Sequence, residues 1–180
     1  MGQRFTELST MHMQFVREQH MFFVATAAAD GRVNVSPKGL DSFRIVDAKQ
    51  VAWLNVTGSG NETAAHVLEN PRMTIMFCAF EGKPVILRLY GTARVLYPRD
   101  EQWQDYASRF ELIAGTRQIF VMDVDLVQTS CGMAVPLFDY QGQRQQLVDW
   151  AEGKGQAGIE AYWRDKNQLS LDQKPTKIFE

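Results

Sequence analysis

The richest chemistry lies in Val51-Ala52-Trp53-Leu54-Asn55-Val56-Thr57-Gly58-Ser59-Gly60-Asn61-Glu62-Thr63-Ala64-Ala65-His66. An apolar, strand-like stretch enters a glycine-rich loop, and the loop opens a helix. The first backbone N–H groups of a helix have no internal acceptor, and the helix dipole is positive there. Gly58 and Gly60 let the main chain approach an anion, while Ser59, Asn61 and Thr63 add side-chain donors. Together these parts describe a phosphate cradle. A plainer reading competes with it. Ser59-x-x-Glu62 also has capping-box spacing, with Ser59 as N-cap and Glu62 as N3. A phosphate dianion further wants a cation, and the loop has none. Lys38, Arg72 and Arg88 are the candidates elsewhere.

Arg88 lies between Leu87 and Leu89 in an apolar strand, so it must be paired or reach solvent. It can grip a phosphate bidentately or pair with a carboxylate. Trp53, Asn55 and Thr57 share one strand face; the two polar residues can bond a ligand, and Trp53 reads as core. His66 reads as a structural hydrogen-bonder with no metal partner nearby. Cys78 reads as buried and inert, and Cys131 as a thiol of open role. Asp123 and Asp125 read as a solvated strand face. No residue stands out as an acid or base, so no catalytic residue and no metal site is assigned.

The elements that must hold these residues read mainly as strands. Phe5 to Glu18 has helical spacing. Met21 to Thr26 and Val33 to Gly39 flank Ala29-Asp30-Gly31, a hairpin signal. Val33 and Val35 fall on one face of the second strand, Asn34 and Ser36 on the other. Strands follow at Phe43–Val46, Val51–Val56, Met73–Phe80, Val85–Leu96 and Gln118–Gln128. Helices are expected at Glu62–Glu69, Asp100–Phe110, Gln145–Glu152 and Gly158–Lys166, and the tail after Leu169 has no period. Hairpins dominate, so an antiparallel sheet closing as a barrel is expected. The domain reading is residues 1–140 as the barrel and 141–180 as a helical extension packed on it.

Composition removes classes without choosing one. Lys plus Arg is 19 against 21 for Asp plus Glu in 180 residues, so no net basicity announces nucleic acid. Two cysteines exclude a disulfide framework, and three histidines argue against a histidine-rich metal site. The longest apolar run, Met21 to Ala29, is far short of the ~20 residues of a membrane span. A cytoplasmic location, with no membrane partner, is the default expectation.

Four segments taken in order carry a resemblance. They are Val33 to Gly39, Trp53 to His66, Glu69 to Arg72 and Leu87 to Gly91. This chain resembles the pyridoxamine 5'-phosphate oxidase-like proteins, which are FMN-binding split barrels. It is nearest to a branch with the loop Gly58 to Thr63 and a late Cys-Gly-x-x-Val-Pro, here Cys131 to Pro136. The resemblance implies a mainly β fold with flanking helices, an antiparallel split β-barrel. It implies a homodimer with FMN at the subunit interface and a small-molecule redox partner. The strand ending Ser36, Pro37, Lys38 and Gly39 would run along the flavin. Asn55, Thr57, Gly58, Ser59, Asn61 and Thr63 would hold ribityl and phosphate, and Arg88 would be a phosphate cation. Lys38 would stand near the polar edge of the ring or the phosphate. The phosphate loop of the oxidases themselves carries a Ser-Arg-Lys run where this chain has Asn61-Glu62-Thr63. Their C-terminal Arg-x-His substrate motif has no match here, so pyridoxamine phosphate is not carried over as substrate. The function implied is a flavin-dependent oxidoreductase. The alternatives are a non-catalytic module that binds or stores flavin, deazaflavin or haem, and a dimeric scaffold without a ligand.

Overall fold

The computed structural model describes residues 2–180. Eight strands form one sheet in which every pairing is antiparallel. In chain order they are β1 (Gln3–Phe5), β2 (Phe22–Thr26), β3 (Asn34–Lys38), β4 (Phe43–Ile45), β5 (Gln50–Val56), β6 (Arg72–Cys78), β7 (Val85–Leu96) and β8 (Thr116–Cys131). The spatial order is β3-β2-β6-β7-β8-β5-β4, with β1 added to the far end of β8. Helix α1 (Thr10–Glu18) precedes β2, α2 (Glu62–Glu69) crosses from β5 to β6, α3 (Trp103–Ala107) precedes β8, and α4 (Gln146–Lys166) follows the sheet. This is the curled, mainly antiparallel half-barrel expected of a split-barrel chain.

The concave side of the sheet holds the main core. Val24, Ile75, Leu87, Leu89, Trp53, Phe120 and Val127 are fully buried there. Trp53 stacks on Phe120 with ring centroids 4.6 Å apart, which settles it as a core residue. A second cluster covers the other face of β5 and β8, where Trp103, Ala107 and Phe110 pack on Ala52, Leu54, Ile119 and Val121. That explains why Val51 to Leu54 and Ile119 to Met122 are apolar on both faces. Beyond them β8 alternates again, with Asp123 and Asp125 exposed.

Several boundaries differ from the sequence reading. Phe5 belongs to a strand, because residues 3–5 pair with Val127 to Thr129. Helix α1 starts later, where Ser9 and His12 form a capping box. The helix read at Asp100–Phe110 is shortened to Trp103–Ala107, with turns on both sides. Gly155, at φ 62° and ψ 172°, breaks α4 into two runs, as the separate helical patterns required.

Gly91 sits where the register of β7 against β8 shifts. A Cβ there would lie 1.9 Å from the carbonyl oxygen of Asp123, so only glycine fits. Such a contact forces backbone displacement. Gly91→Ala is expected to destabilise the fold by about 1–3 kcal/mol or more, read as a lower urea midpoint. An unchanged midpoint would contradict this packing.

Candidate cofactor site

Two adjoining cavities open beside β3. The larger, of about 780 Å³, is walled by the polar face of β3, the loop before α2, β8 and the C-terminal segment. The smaller, about 210 Å³, is more apolar and shares Lys38, Asn55 and Gly58 with the first. Asn34, Ser36 and Lys38 point one way along β3 and line the larger cavity. Val35 on the opposite face is 61% exposed. The alternation read from sequence is therefore present, with the polar face turned to the cavity.

The site candidates separate as follows. Ser36, Lys38, Asn55, Gly58, Ser59, Asn61 and Thr63 all line the larger cavity. Pro37, Gly39 and Thr57 line only the smaller one. The Thr57 hydroxyl is already engaged, donating to the Gly115 carbonyl at 2.8 Å and accepting from Trp163 Nε1 at 2.8 Å. Arg88 lines neither cavity. It projects from the outer face of the sheet and donates to Ser130 Oγ at 3.1 Å. Arg72 is exposed and bonds Asn70.

The capping box at Ser59 and Glu62 does not form. Asn61 is the N-cap of α2 and makes no side-chain cap bond, while Ser59 is exposed in the cavity wall. Glu62 turns to the C-terminal tail, where both carboxylate oxygens lie 3.0 Å from the Leu171 N–H. Asn34 donates to Thr63 Oγ1 at 3.2 Å, which ties β3 to the helix start.

Sequence reasoning missed Arg117 and the tail. Arg117, on β8, is 3% exposed and lines the cavity. It donates to the carbonyl of Gly60 at 3.1 Å and to Asn167 Oδ1 at 2.6 Å. Asn167, in turn, donates to the Gly58 carbonyl at 3.1 Å. The tail is anchored further out. Tyr97 and Arg99 donate to the carbonyls of Thr176, Lys177 and Ile178, and Lys174 pairs with Asp30 and Glu69. These contacts are made by side chains over long separations, so no local period announces them.

The cavity's charge is positive and unmet. Among the described residues neither Lys38 nor Arg117 forms an ion pair. Burial, and secondarily the neighbouring Arg117 charge, pushes the Lys38 ammonium down to about 8. Burial likewise lowers Arg117 to about 10. Ser36 Oγ and Arg117 Nε are buried with no partner. Such orphans in a polar cavity are what a ligand with oxygen acceptors and ring heteroatoms would satisfy.

The remaining singled-out residues lie outside the cavity. His66 is buried under α2, its Nδ1 3.1 Å from Thr26 Oγ1. Cys78 is buried, which raises its thiol pKa, and Cys131 is exposed. Among the described residues no cluster of three His, Cys, Asp or Glu could hold a metal. No helix there is long and apolar enough to cross a membrane.

Comparison with known proteins agrees with this architecture. Residues 8–131 match the family described as Pyridoxamine 5'-phosphate oxidase. The chain belongs to that family. A curated relative, the pyridoxamine 5'-phosphate oxidase family protein ustO of Aspergillus flavus, is 40% identical over 140 residues. The match spans 75% of this chain and 56% of that protein, so this chain covers little more than half of its relative. Among solved structures, HupZ of Group A Streptococcus aligns with a TM-score of 0.55 at 19% identity, over 68% of this chain and 98% of that one. A pyridoxamine 5'-phosphate oxidase-related, FMN binding protein of Nostoc punctiforme aligns at 0.53 and 13%, over 72% and 87%. At these identities the structures speak for the fold alone.

Lys38 gives the cavity a pH dependence. Below about 8 it is charged and favours an anion; above, that attraction is lost. Sulfate, which does not titrate in this range, is expected to bind about fivefold more weakly at high pH than at neutrality. Calorimetry at pH 7 and pH 9.5 reads the change, and Lys38→Met should remove it.

Proposed function

We propose that this chain binds FMN and acts, as a homodimer, as a flavin-dependent oxidoreductase on a small molecule. The observation that carries the reading is the large polar cavity lined by the buried Arg117 and the half-buried Lys38, neither of them in an ion pair among the described residues. It lies beside a glycine-rich helix start, in a chain of this family. Its volume falls within the ~300–1,000 Å³ range of cofactor sites. The residues fit the group. Asn34, at the α2 end of β3, is bonded to Thr63, and Lys38 stands about 13 Å further along the strand. That span matches a molecule with a phosphate at the loop and a ring towards Lys38. Ser36 and Asn55, which line the same cavity, would face its polar edge.

FMN, when bound, would supply the redox chemistry by accepting and passing on a hydride or electrons. The protein's part is orientation and charge. Lys38, held positive near neutrality, would favour negative charge on the reduced ring. Ser59 and Thr63 would donate to the phosphate. The smaller cavity, sharing Lys38 and Asn55, has room for a small second reactant. The subunit pairing is supported by the outer sheet face, where Val35, Pro37 and Phe23 continue across Met76 to Ile86 and Arg88. Val33 and Val35 are 70% and 61% exposed on it, a surface that a second copy would cover.

The purified protein is expected to carry flavin absorbance, or to bind added FMN, and to lose the flavin band anaerobically with NADPH or NADH. A colourless protein that binds no FMN would sink the proposal. Bound flavin that no donor bleaches would make this a binding or storage module. A Soret band would indicate haem instead. Light scattering should return about twice the 20.5 kDa chain mass, and a monomer would remove the shared site. Ser59→Ala with Thr63→Ala should weaken FMN about tenfold or more. Unchanged affinity would refute the phosphate placement.

A further inference from the structure

Two guanidiniums line the larger cavity, and only one is buried. Arg164 is exposed, and its guanidinium lies 4.3 Å from the Phe179 ring centroid. Arg117 is buried, and its donors divide into two sets. Nη1 is used by the protein, on Gly60 and Asn167. Nε is buried without a partner. Nη2 makes no hydrogen bond or ion pair among the described residues. Nε and Nη2 form one edge of the fork, the edge that can grip two oxygens of one phosphate.

Asn167 fixes that edge. It is 0% exposed, and its side chain accepts from Arg117 Nη1 while donating to the Gly58 carbonyl. Its own carbonyl accepts from Asn61 Nδ2 at 3.3 Å and from Thr176 Oγ1 at 2.6 Å. One amide therefore joins the buried cation to the glycine loop. An amide meets the guanidinium without cancelling its charge. An aspartate of the same shape would pair with Arg117, neutralise it, and lose the N–H given to Gly58. The tail also occupies Glu62 through the Leu171 N–H, so the nearest carboxylate on α2 is engaged. Lys38, from β3, is the second cation.

We propose that the Nε–Nη2 edge of Arg117 recognises the phosphate of a phosphomonoester, and that Asn167 of the C-terminal tail is its positioning residue. The identity of the rest of the ligand rests on the flavin reading above; the anion site does not. The tail is then part of the ligand site and more than an extension of the barrel.

FMN and riboflavin differ only by the phosphate, so their affinity ratio reads this contact. Flavin fluorescence quenching should show wild type preferring FMN. Asn167→Asp, nearly isosteric, should weaken FMN about tenfold or more and riboflavin less than about twofold. Circular dichroism should confirm an unchanged fold. Equal losses for both flavins would assign Asn167 a purely structural role, and an unchanged FMN affinity would detach Arg117 from phosphate; either overturns the proposal. If wild type binds neither flavin, the flavin reading fails and inorganic phosphate tests the site alone. A rise in melting temperature with phosphate that Asn167→Asp lacks would sustain the proposal. No rise, or an equal rise in both, would end it.

Discussion

Burying a guanidinium is costly unless its charge and donors are met, and Arg117 is met only in part. It has neutral oxygens on one side, from Gly60 and Asn167, and an empty edge on the other. Much of the surrounding structure answers to that arrangement. The glycine loop bends so that a carbonyl reaches the guanidinium. The tail crosses the loop so that Asn167 can hold both. Helix α4 delivers the tail, and Trp163 Nε1 pins it to Thr57. Tyr97, whose phenol burial pushes up to about 12, stays protonated and holds the Thr176 carbonyl. These contacts together make a cavity wall from segments far apart in the chain.

The sheet's two faces divide the labour. The concave face is filled by Trp53, Phe120 and the aliphatic core. A polar cavity opens at the sheet edge, where β3 ends the order and its inward residues turn polar. An edge strand with polar residues towards a cavity and valines outward is an unusual economy for a chain standing alone. The proposed second copy on the outer face would bury those exposed valines.

Charge follows the same logic. The chain carries a formal charge of -2, yet its cavity is cationic. Most acidic groups nearby are committed elsewhere, Glu62 to the Leu171 N–H, Glu69 and Asp30 to Lys174, Asp172 to Arg32, while Asp165 in the cavity wall pairs with its neighbour Lys166. Local field at a cleft depends on which charges are left unpaired, and net charge says little about it.

The strands, the hairpin at Gly31, the helix start after the glycine loop and the core position of Trp53 were legible in the sequence. Each rests on local periodicity or on turn chemistry within a few residues. The polar line Asn34, Ser36, Lys38 was legible for the same reason, because strand side chains alternate. The cation was not. Arg117 stands in an ordinary strand, and its partners Asn167 and Gly60 are 50 and 57 residues away. The tail, read as patternless, is ordered by side chains that cap loop carbonyls, and such bonds have no period. Arg88, in an apolar strand, was open to a phosphate or to a carboxylate; the sheet's geometry puts it on the outer face, bonded to Ser130. The sequence by itself determined the elements, the glycine-rich helix start and the chain's mild acidity. Tertiary structure alone decided which charge faces the cavity, because that depends on long-range side-chain bonds that local spacing does not encode.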